Sequence, residues 1–405
     1  MDTAIVRPYG ALRAGLTALV AAVLAAACGG GSDMAPQGRA FTQGTITGFG
    51  SVIVNGVRFD DSAAQVVDDD GQAHDRNDLK LGMNVEIESS DIDRGSNSAM
   101  ASRVRFGAAI VGPVSAIGGG TTPKTLTVLD ETVEIGDNTV FDSSLPNGFA
   151  SIQVNDVLEV HALFNAATGH YLARRIAPDP AATVFKVRGI VGNLDSAAKT
   201  LMIGGALIDF SGVAAAGLPA GLANGLRVRV RLQTARNGAG AWVAISVRAE
   251  EREMEDHDEA EVRGTITDFT STASFSVNGL PVDASKADFP DGTAGIVLGA
   301  MVEIEGAVVN GVLVATKVAL ENEDEDRDVN ELHGTISGLN TQAQTFVVRG
   351  VTVHYGPATV FEDGTQAGLA NGEMVEVKGA LSADGTTVEA SRIELDTGSM
   401  GMGSM

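Results

Sequence analysis

Apolar and polar residues alternate over short runs along most of the chain. Val85-Glu86-Ile87-Glu88 and Leu226-Arg227-Val228-Arg229-Val230-Arg231 each place one face in apolar contact and the other in charge, the period of a half-buried strand. Other runs are broken by turn residues. Val52-Ile53-Val54 and Val57-Arg58-Phe59 flank Asn55-Gly56, and Phe275-Ser276-Val277 leads into Asn278-Gly279. Asn-Gly supplies the two positive φ angles of a type I′ hairpin. Asn310-Gly311 and Asp384-Gly385 predict further hairpins between the last two strands of their units.

These strands recur in order. A Gly-x-[Ile/Val] opening stands at Gly44, Gly112, Gly189, Gly264 and Gly334, with spacings of 68, 77, 75 and 70 residues. Each opening is followed by [Leu/Ile]-x-x-[Gly/Asn]-x-x-hydrophobic-[Glu/Arg]-[Val/Ile], at Leu79 to Ile87, Ile152 to Val160, Leu222 to Val230, Ile296 to Ile304 and Leu369 to Val377. Ala-x-[Arg/Lys/Ser]-[Val/Ile] closes each copy, at Ala101, Ala173, Ala244, Ala315 and Ala390. Three ordered blocks repeated at a fixed period mark tandem units. Leu-x-x-Gly predicts one helical turn ended by a left-handed residue, with Asn155 in the glycine's place in the second copy.

Five or six strands in some 65 to 75 residues predict a small barrel, since closure removes the exposed edges an open sheet of that size would carry. The predicted fold class is all-β, with five tandem OB-like β-barrel units behind a leader. Their bounds are read as 41–108, 109–182, 183–249, 260–320 and 331–396. Acidic linkers fall at 250–259 and 321–330, and a disordered tail at 397–405. Fifty glycines and few aromatics agree with many short strands and tight turns. The segments Gly44 to Asp60 and Leu79 to Ile87 resemble the bacterial lipoprotein repeats known as domain of unknown function 5666. The likeness spans roughly residues 41 to 396, closest in the first, fourth and fifth copies. It implies tandem β-rich units on envelope lipoproteins and carries no chemistry with it.

The leader is read from residues 1–27. Arg7 and Arg13 precede an uncharged run, Ala14 to Ala27, that ends in small residues, the layout of a secretory signal. At 14 residues the run is shorter than the ~20 that span a bilayer. The chain's single cysteine, Cys28, follows at once and opens a tether over 28–40. Leu24-Ala25-Ala26-Ala27-Cys28 resembles a lipobox, although Leu24 stands one position earlier than that pattern has it. The resemblance implies a lipidated Cys28, attachment to the membrane through acyl chains, and, with Gly29 rather than Asp next, an address at the outer membrane.

Charge narrows the partners. Without the leader and Cys28 the chain carries 26 basic and 51 acidic residues, a surface that repels nucleic acid. Eight carboxylates lie between Glu250 and Glu261, and seven between Glu321 and Glu331. They are read as solvated, self-repelling spacers. The alternative is a calcium site, with Glu255, Asp256, Asp258, Asp324, Asp326 and Asp328 as candidate ligands. Asp68-Asp69-Asp70-Gly71 does not fit an EF-hand, because Val66 and Asn77 would fall at its terminal ligand positions. It is read as a turn.

The third copy runs against the acidic trend. It has eight basic residues between Phe185 and Arg248 and only Asp195 and Asp209 as acids. Arg227, Arg229 and Arg231 share one face of a strand. They are read as balanced by acids elsewhere in the chain, with an anionic-ligand site as the alternative. Trp242 is read as a core or rim aromatic, with sugar stacking as its alternative.

No thiol is left for nucleophilic catalysis once Cys28 is lipidated, and six histidines lie singly, without a zinc spacing. The expectation is therefore a non-enzymatic, membrane-anchored binding or scaffolding protein without a cofactor. Its partner is expected to be an envelope protein or glycan. A hydrolase with a site between units, and a calcium-dependent adhesin, are the alternatives.

Overall fold

The computed structural model describes residues 40–119, 123–250, 254–321 and 330–396, all within one compact unit, Pro36–Met405. Cys28, the leader, the tail and Asp324, Asp326 and Asp328 lie outside the described residues. The fold is all-β. In the first copy, β1 (Ala40–Phe49), β2 (Val52–Val54), β3 (Val57–Asp60), β4 (Gln65–Asp68), β5 (Asn84–Ser89) and β6 (Ser98–Phe106) form a closed ring. β1 runs antiparallel to β2 and β5, β2 to β3, and β5 to β6, while β3 lies parallel to β6 and closes the circuit. This is the Greek-key ring of an OB barrel.

The circuit recurs along the chain. The second copy contributes β7 (Ile110–Gly118), β8 (Lys124–Val128), β9 (Glu131–Phe141), β10 (Val157–Asn165) and β11 (His170–Pro178). The third contributes β12 (Phe185–Asp195), β13 (Thr200–Ile203), β14 (Ala206–Asp209), β15 (Arg227–Arg236) and β16 (Trp242–Ala249). In the fourth lie β17 (His257–Ser271), β18 (Ser274–Val277), β19 (Leu280–Asp283), β20 (Met301–Val309) and β21 (Val312–Leu320). The fifth splits two of its strands, giving β22 (Asn330–Thr335), β23 (Ser337–Asn340), β24 (Thr345–Val348), β25 (Val351–His354), β26 (Val360–Glu362), β27 (Met374–Leu381) and β28 (Thr387–Leu395). Each ring is closed by the same parallel pair, β9 with β11, β14 with β16, β19 with β21, and β25 with β28.

The structure explains why the first two sequence blocks travel together. Ile46, third in its opening block, donates to Met83 O and accepts from Gly82 N across the ring. Val114, Val191, Ile266 and Ile336 make the same exchange with Asp156 and Asn155, Leu226 and Gly225, Ala300 and Gly299, and Glu373 and Gly372. Gly82, Gly225, Gly299 and Gly372 have φ between +83° and +92°, and Asn155 has +77°.

Leu-x-x-Gly is not a helical turn but the hydrogen-bonded reverse turn Lys80 to Met83 and its equivalents, with the left-handed residue third, as a type II turn requires. In the first, second and fifth copies a short 3-10 turn, Arg76–Asp78, Gly148–Ser151 or Gln366–Gly368, comes immediately before the leucine or isoleucine instead. The turn needs the left-handed residue so that its amide can reach the first strand, which leaves no room for an α-helical turn.

Asn55-Gly56, Asn278-Gly279 and Asn310-Gly311 take two successive positive φ angles as the sequence predicts. Leu129-Asp130 and Arg349-Gly350 adopt the same conformation without an Asn-Gly signal. Asp384-Gly385 does not, since only Gly385 is left-handed. Gly44 is required because the hairpin tip folds over it, and a Cβ there would lie 2.1 Å from the Asn55 side-chain oxygen.

The copies do not sit apart. The apolar cores of the first and fifth copies form one continuous cluster, as do those of the second and third, while the fourth copy's core takes in Phe41 of β1. β1 runs parallel to β17 from Ala40 opposite Glu259 to Gln43 opposite Val262, and parallel to β22 at Gly48 and Phe49. β7 and β12 pair through Val111 and Lys186. His257 to Glu259, read in sequence as part of a solvated spacer, belong to β17. The outer edge of β1 offers unpaired amides and carbonyls, and pairing with β17 satisfies them at less cost than leaving an open edge.

Candidate functional site

The most structured polar region is where the first, second, third and fourth copies meet. β12 and β15 lie antiparallel, with Lys186 opposite Arg231 and Arg188 opposite Arg229. Like charges placed directly across a ladder repel, so this face holds together only with outside carboxylates. The first copy supplies them from the turn after β4. Asp69 pairs with Lys186 at 2.8 Å, with Arg188, and with Arg229 at 3.3 Å, and its side chain is 1% exposed. Asp70 takes Arg229 at 3.0 Å and Arg231 at 3.7 Å. Glu250 takes Arg227 at 3.1 Å and Arg188 at 3.5 Å. Burial alone would raise the Asp69 carboxyl; Arg188, Lys186 and Arg229 outweigh it and hold that carboxyl well below the ordinary aspartate range.

Beside this network lies a cavity of about 570 Å³, lined in part by Phe41, Phe106, Phe164, Tyr171, Arg188 and Arg227. Its walls come from all four of these copies. Tyr171, fully enclosed, donates its hydroxyl to the Arg188 carbonyl, and burial holds that phenol well above its usual range. The Asn278-Gly279 hairpin tip of the fourth copy reaches across. Asn278 Nδ2 donates to Gln43 Oε1 at 3.1 Å, and a Cβ at Gly279 would lie 2.8 Å from Arg227 Nε. Two guanidinium atoms, Arg188 Nε and Arg227 Nη1, are buried without a hydrogen-bond partner among the described residues.

The arginines flagged in the sequence thus come together, and their acids come from residues 69 and 70, read in sequence only as a turn, and from Glu250, placed in a linker. Asp68 does make that turn, its Oδ1 accepting from Asp70 N and Gln72 N at 2.9 and 2.8 Å. Among the described residues, Asp68, Asp69 and Asp70 are also the carboxylates that converge closely enough to hold a metal ion. Lys186, Arg188 and Arg229 already occupy Asp69, so a cation there would have to displace them. Glu255, Asp256 and Asp258 form no such converging set; Asp256 Oδ1 instead accepts from Asn310 N at 2.6 Å.

Trp242 is 5% exposed and packs edge-to-face on Phe185 at 5.7 Å. Arg236 covers its ring at 4.1 Å, and its Nε1 donates to Asp130 at 3.1 Å. With that face covered it offers no platform for a sugar. Asp130 sits in the unsignalled Leu129-Asp130 turn of the second copy, so sequence pattern gave no pointer to it. The histidines are placed apart. His170 Nδ1 lies 2.5 Å from Glu134, His354 Nδ1 2.6 Å from Glu389, and His161 Nε2 2.9 Å from Glu159.

Two other buried carboxylates are pushed the opposite way from Asp69. Glu261 lies on β17 with Glu305 directly opposite on β20 and Glu303 nearby, and Arg94 of the first copy lies 3.6 Å away. Burial, then Glu303 and Glu305 against Arg94, bring it up to about 7. Glu131 accepts from Ala206 N at 3.3 Å, joining the second and third copies, and burial pushes it up to about 7 despite that bond.

With the barrels and this site in place, comparison with known proteins gives a class. Residues 111–177, 263–319 and 333–394 match the family model described as Domain of unknown function (DUF5666). The chain carries tandem repeats that resemble this domain. The matches fall on the second, fourth and fifth copies; the first copy, which the sequence reading ranked among the closest, lies outside them. No curated protein matches the chain. Among solved structures the chain is similar to one titled drosophila Unr CSD456, at 11% identity over 53% of this chain and 97% of that one, with a TM-score of 0.14. The OB assignment rests on the strand pairings. Among the described residues no helix is long and apolar enough to cross a membrane.

Proposed function

We propose that the protein is an exported envelope lipoprotein, anchored through Cys28 to the outer membrane, whose packed OB-like barrels form a non-catalytic binding body. The observation that carries this reading is the cavity enclosed by the first four copies, with its wall of arginines and aromatic side chains. Such concave, mixed apolar and polar sites are where proteins take ligands. The anchor rests on the leader and the single cysteine of the sequence.

The reading has two tests. Cells expressing the chain and fed labelled palmitate should label the wild type and not C28A, and the wild type should partition into detergent; equal labelling removes the anchor. Mature protein used as bait on intact envelopes should retain an envelope protein or glycan. Turnover of a glycan or ester substrate, lost on changing one carboxylate, would replace a binding body with a hydrolase.

A further inference from the structure

We propose that the cavity takes a small organic anion with an apolar body, its charged group held by Arg188 and Arg227 and its body lying against Phe106 and Phe164. This deepens the binding-body reading and rests on it.

Three observations converge on that chemistry. The first is volume. About 570 Å³ falls within the ~300 to 1,000 Å³ of sites for single small molecules.

The second is charge. In a chain of formal charge −24, five basic side chains gather beside the cavity. Among the described residues, Lys186, Arg188, Arg227, Arg229 and Arg231 have Asp69, Asp70 and Glu250 as their ion-pair partners, and Arg188 and Arg227 share Glu250. On the lining itself Arg105, Arg188, Arg227 and Arg263 stand with Asp69, Glu86, Glu250 and Asp268. Glu86 accepts from Gln43 Nε2 and stands across the ladder from Arg105, and Asp268 shares the lining with Arg263.

The third is hydrogen bonding. Among the described residues, Arg188 Nε and Arg227 Nη1 are buried donors without an acceptor, a costly state that an oxyanion reaching them would relieve. The guanidinium is suited to that role, because its fixed fork matches the oxygens of a carboxylate or sulfonate. The aromatic wall, with Phe164 and Tyr171 in contact at 5.1 Å, then favours an anion carrying an apolar body over a bare inorganic ion.

The test is fluorescence titration of the full-length mature protein with two dyes of matched shape, anionic 8-anilinonaphthalene-1-sulfonate and neutral N-phenyl-1-naphthylamine. The anionic dye is expected to fill one saturable site at least tenfold more tightly than the neutral one. R227Q should weaken the anion about tenfold and leave the neutral dye unchanged. E250Q, which removes a carboxylate competing for both arginines, should tighten the anion several-fold, and it supplies a second reading if R227Q fails to fold. Equal affinity for the two dyes, or an anion affinity that responds to neither substitution, overturns the proposal. Absence of saturable binding by either dye also overturns it, while retention of an envelope partner in the bait experiment would leave the binding body standing.

Discussion

Asp69 and Glu261 are both buried carboxylates at contacts of the first copy, and they are poised in opposite directions. At the contact with the third copy, Asp69 lies among Lys186, Arg188 and Arg229 and stays ionised. At the contact with the fourth, Glu261 lies beside Glu303 and Glu305, with Arg94 half in solvent, and rises to about 7. Burial acts alike on both. The sign is decided by the neighbours, which are cations of the third copy for Asp69 and Glu303 and Glu305 of its own copy for Glu261. The same repeat framework therefore gives one contact that requires its charge and another that works against its own.

The largest test of this contrast is D69N. It keeps the shape but leaves Lys186 without its acid and Arg188 and Arg229 with only Glu250 and Asp70, and removing one partner from a buried ion pair costs about 3 to 5 kcal/mol. Chemical denaturation should read a loss of that size; a loss under about 1 kcal/mol would break the contrast.

Next is pH. The unfolded Glu261 has the ordinary value of 4.5 and the folded one about 7, so the folded state holds more protons between them. Stability should fall as pH rises through that window, by up to about 3 kcal/mol for this group at 1.36 kcal/mol per unit. Asp69, shifted the other way, contributes stability that is present above its ordinary value and lost only in stronger acid. The wild type should therefore melt higher at pH 5 than at pH 8, and E261Q should recover about 1 to 3 kcal/mol at pH 8. A flat profile would remove Glu261 as the counterpart of Asp69.

Smaller again is E131Q, because the Glu131 carboxylate keeps an amide donor that its amide replacement still accepts. A gain of about 1 kcal/mol at pH 8 and none at pH 5 is expected in thermal melts. A loss at both values would mean the Ala206 contact needs the charge.

R94Q should show least. With its side chain 50% exposed and paired to Glu259 as well as Glu261, it should lose about 0.5 kcal/mol at pH 8 and less at pH 5, where Glu261 is protonated. An equal loss at both pH values would show that Arg94 acts through Glu259 rather than Glu261.

What was legible in the sequence follows from range. The opening Gly-x-[Ile/Val] and the Leu-x-x-Gly turn exchange hydrogen bonds within one copy, so their spacing had to repeat, and the OB-like ring could be inferred from it. The arginine stripe of β15 was legible because period 2 puts alternate residues on one face. Its acids were not, since Asp69 lies 119 residues before Arg188, and the Asp68-Asp69-Asp70 turn looks the same whether it meets solvent or a cation. The hairpin at Leu129-Asp130 escaped because burial of Leu129 over Gly112, and not turn chemistry, holds it.

The sequence by itself determined the repeating all-β barrel, the left-handed residue of its Leu-x-x-Gly turn and the charge of each copy, because a ring that closes within about seventy residues is specified by local pattern. Only the tertiary structure decided which copies touch, that Glu250 belongs to an ion-pair network and not to a spacer, and that Asp69 and Glu261 titrate in opposite senses. The reason is physical. A carboxylate's burial depends on the surface brought against it, and for both Asp69 and Glu261 that surface includes a copy more than a hundred residues away.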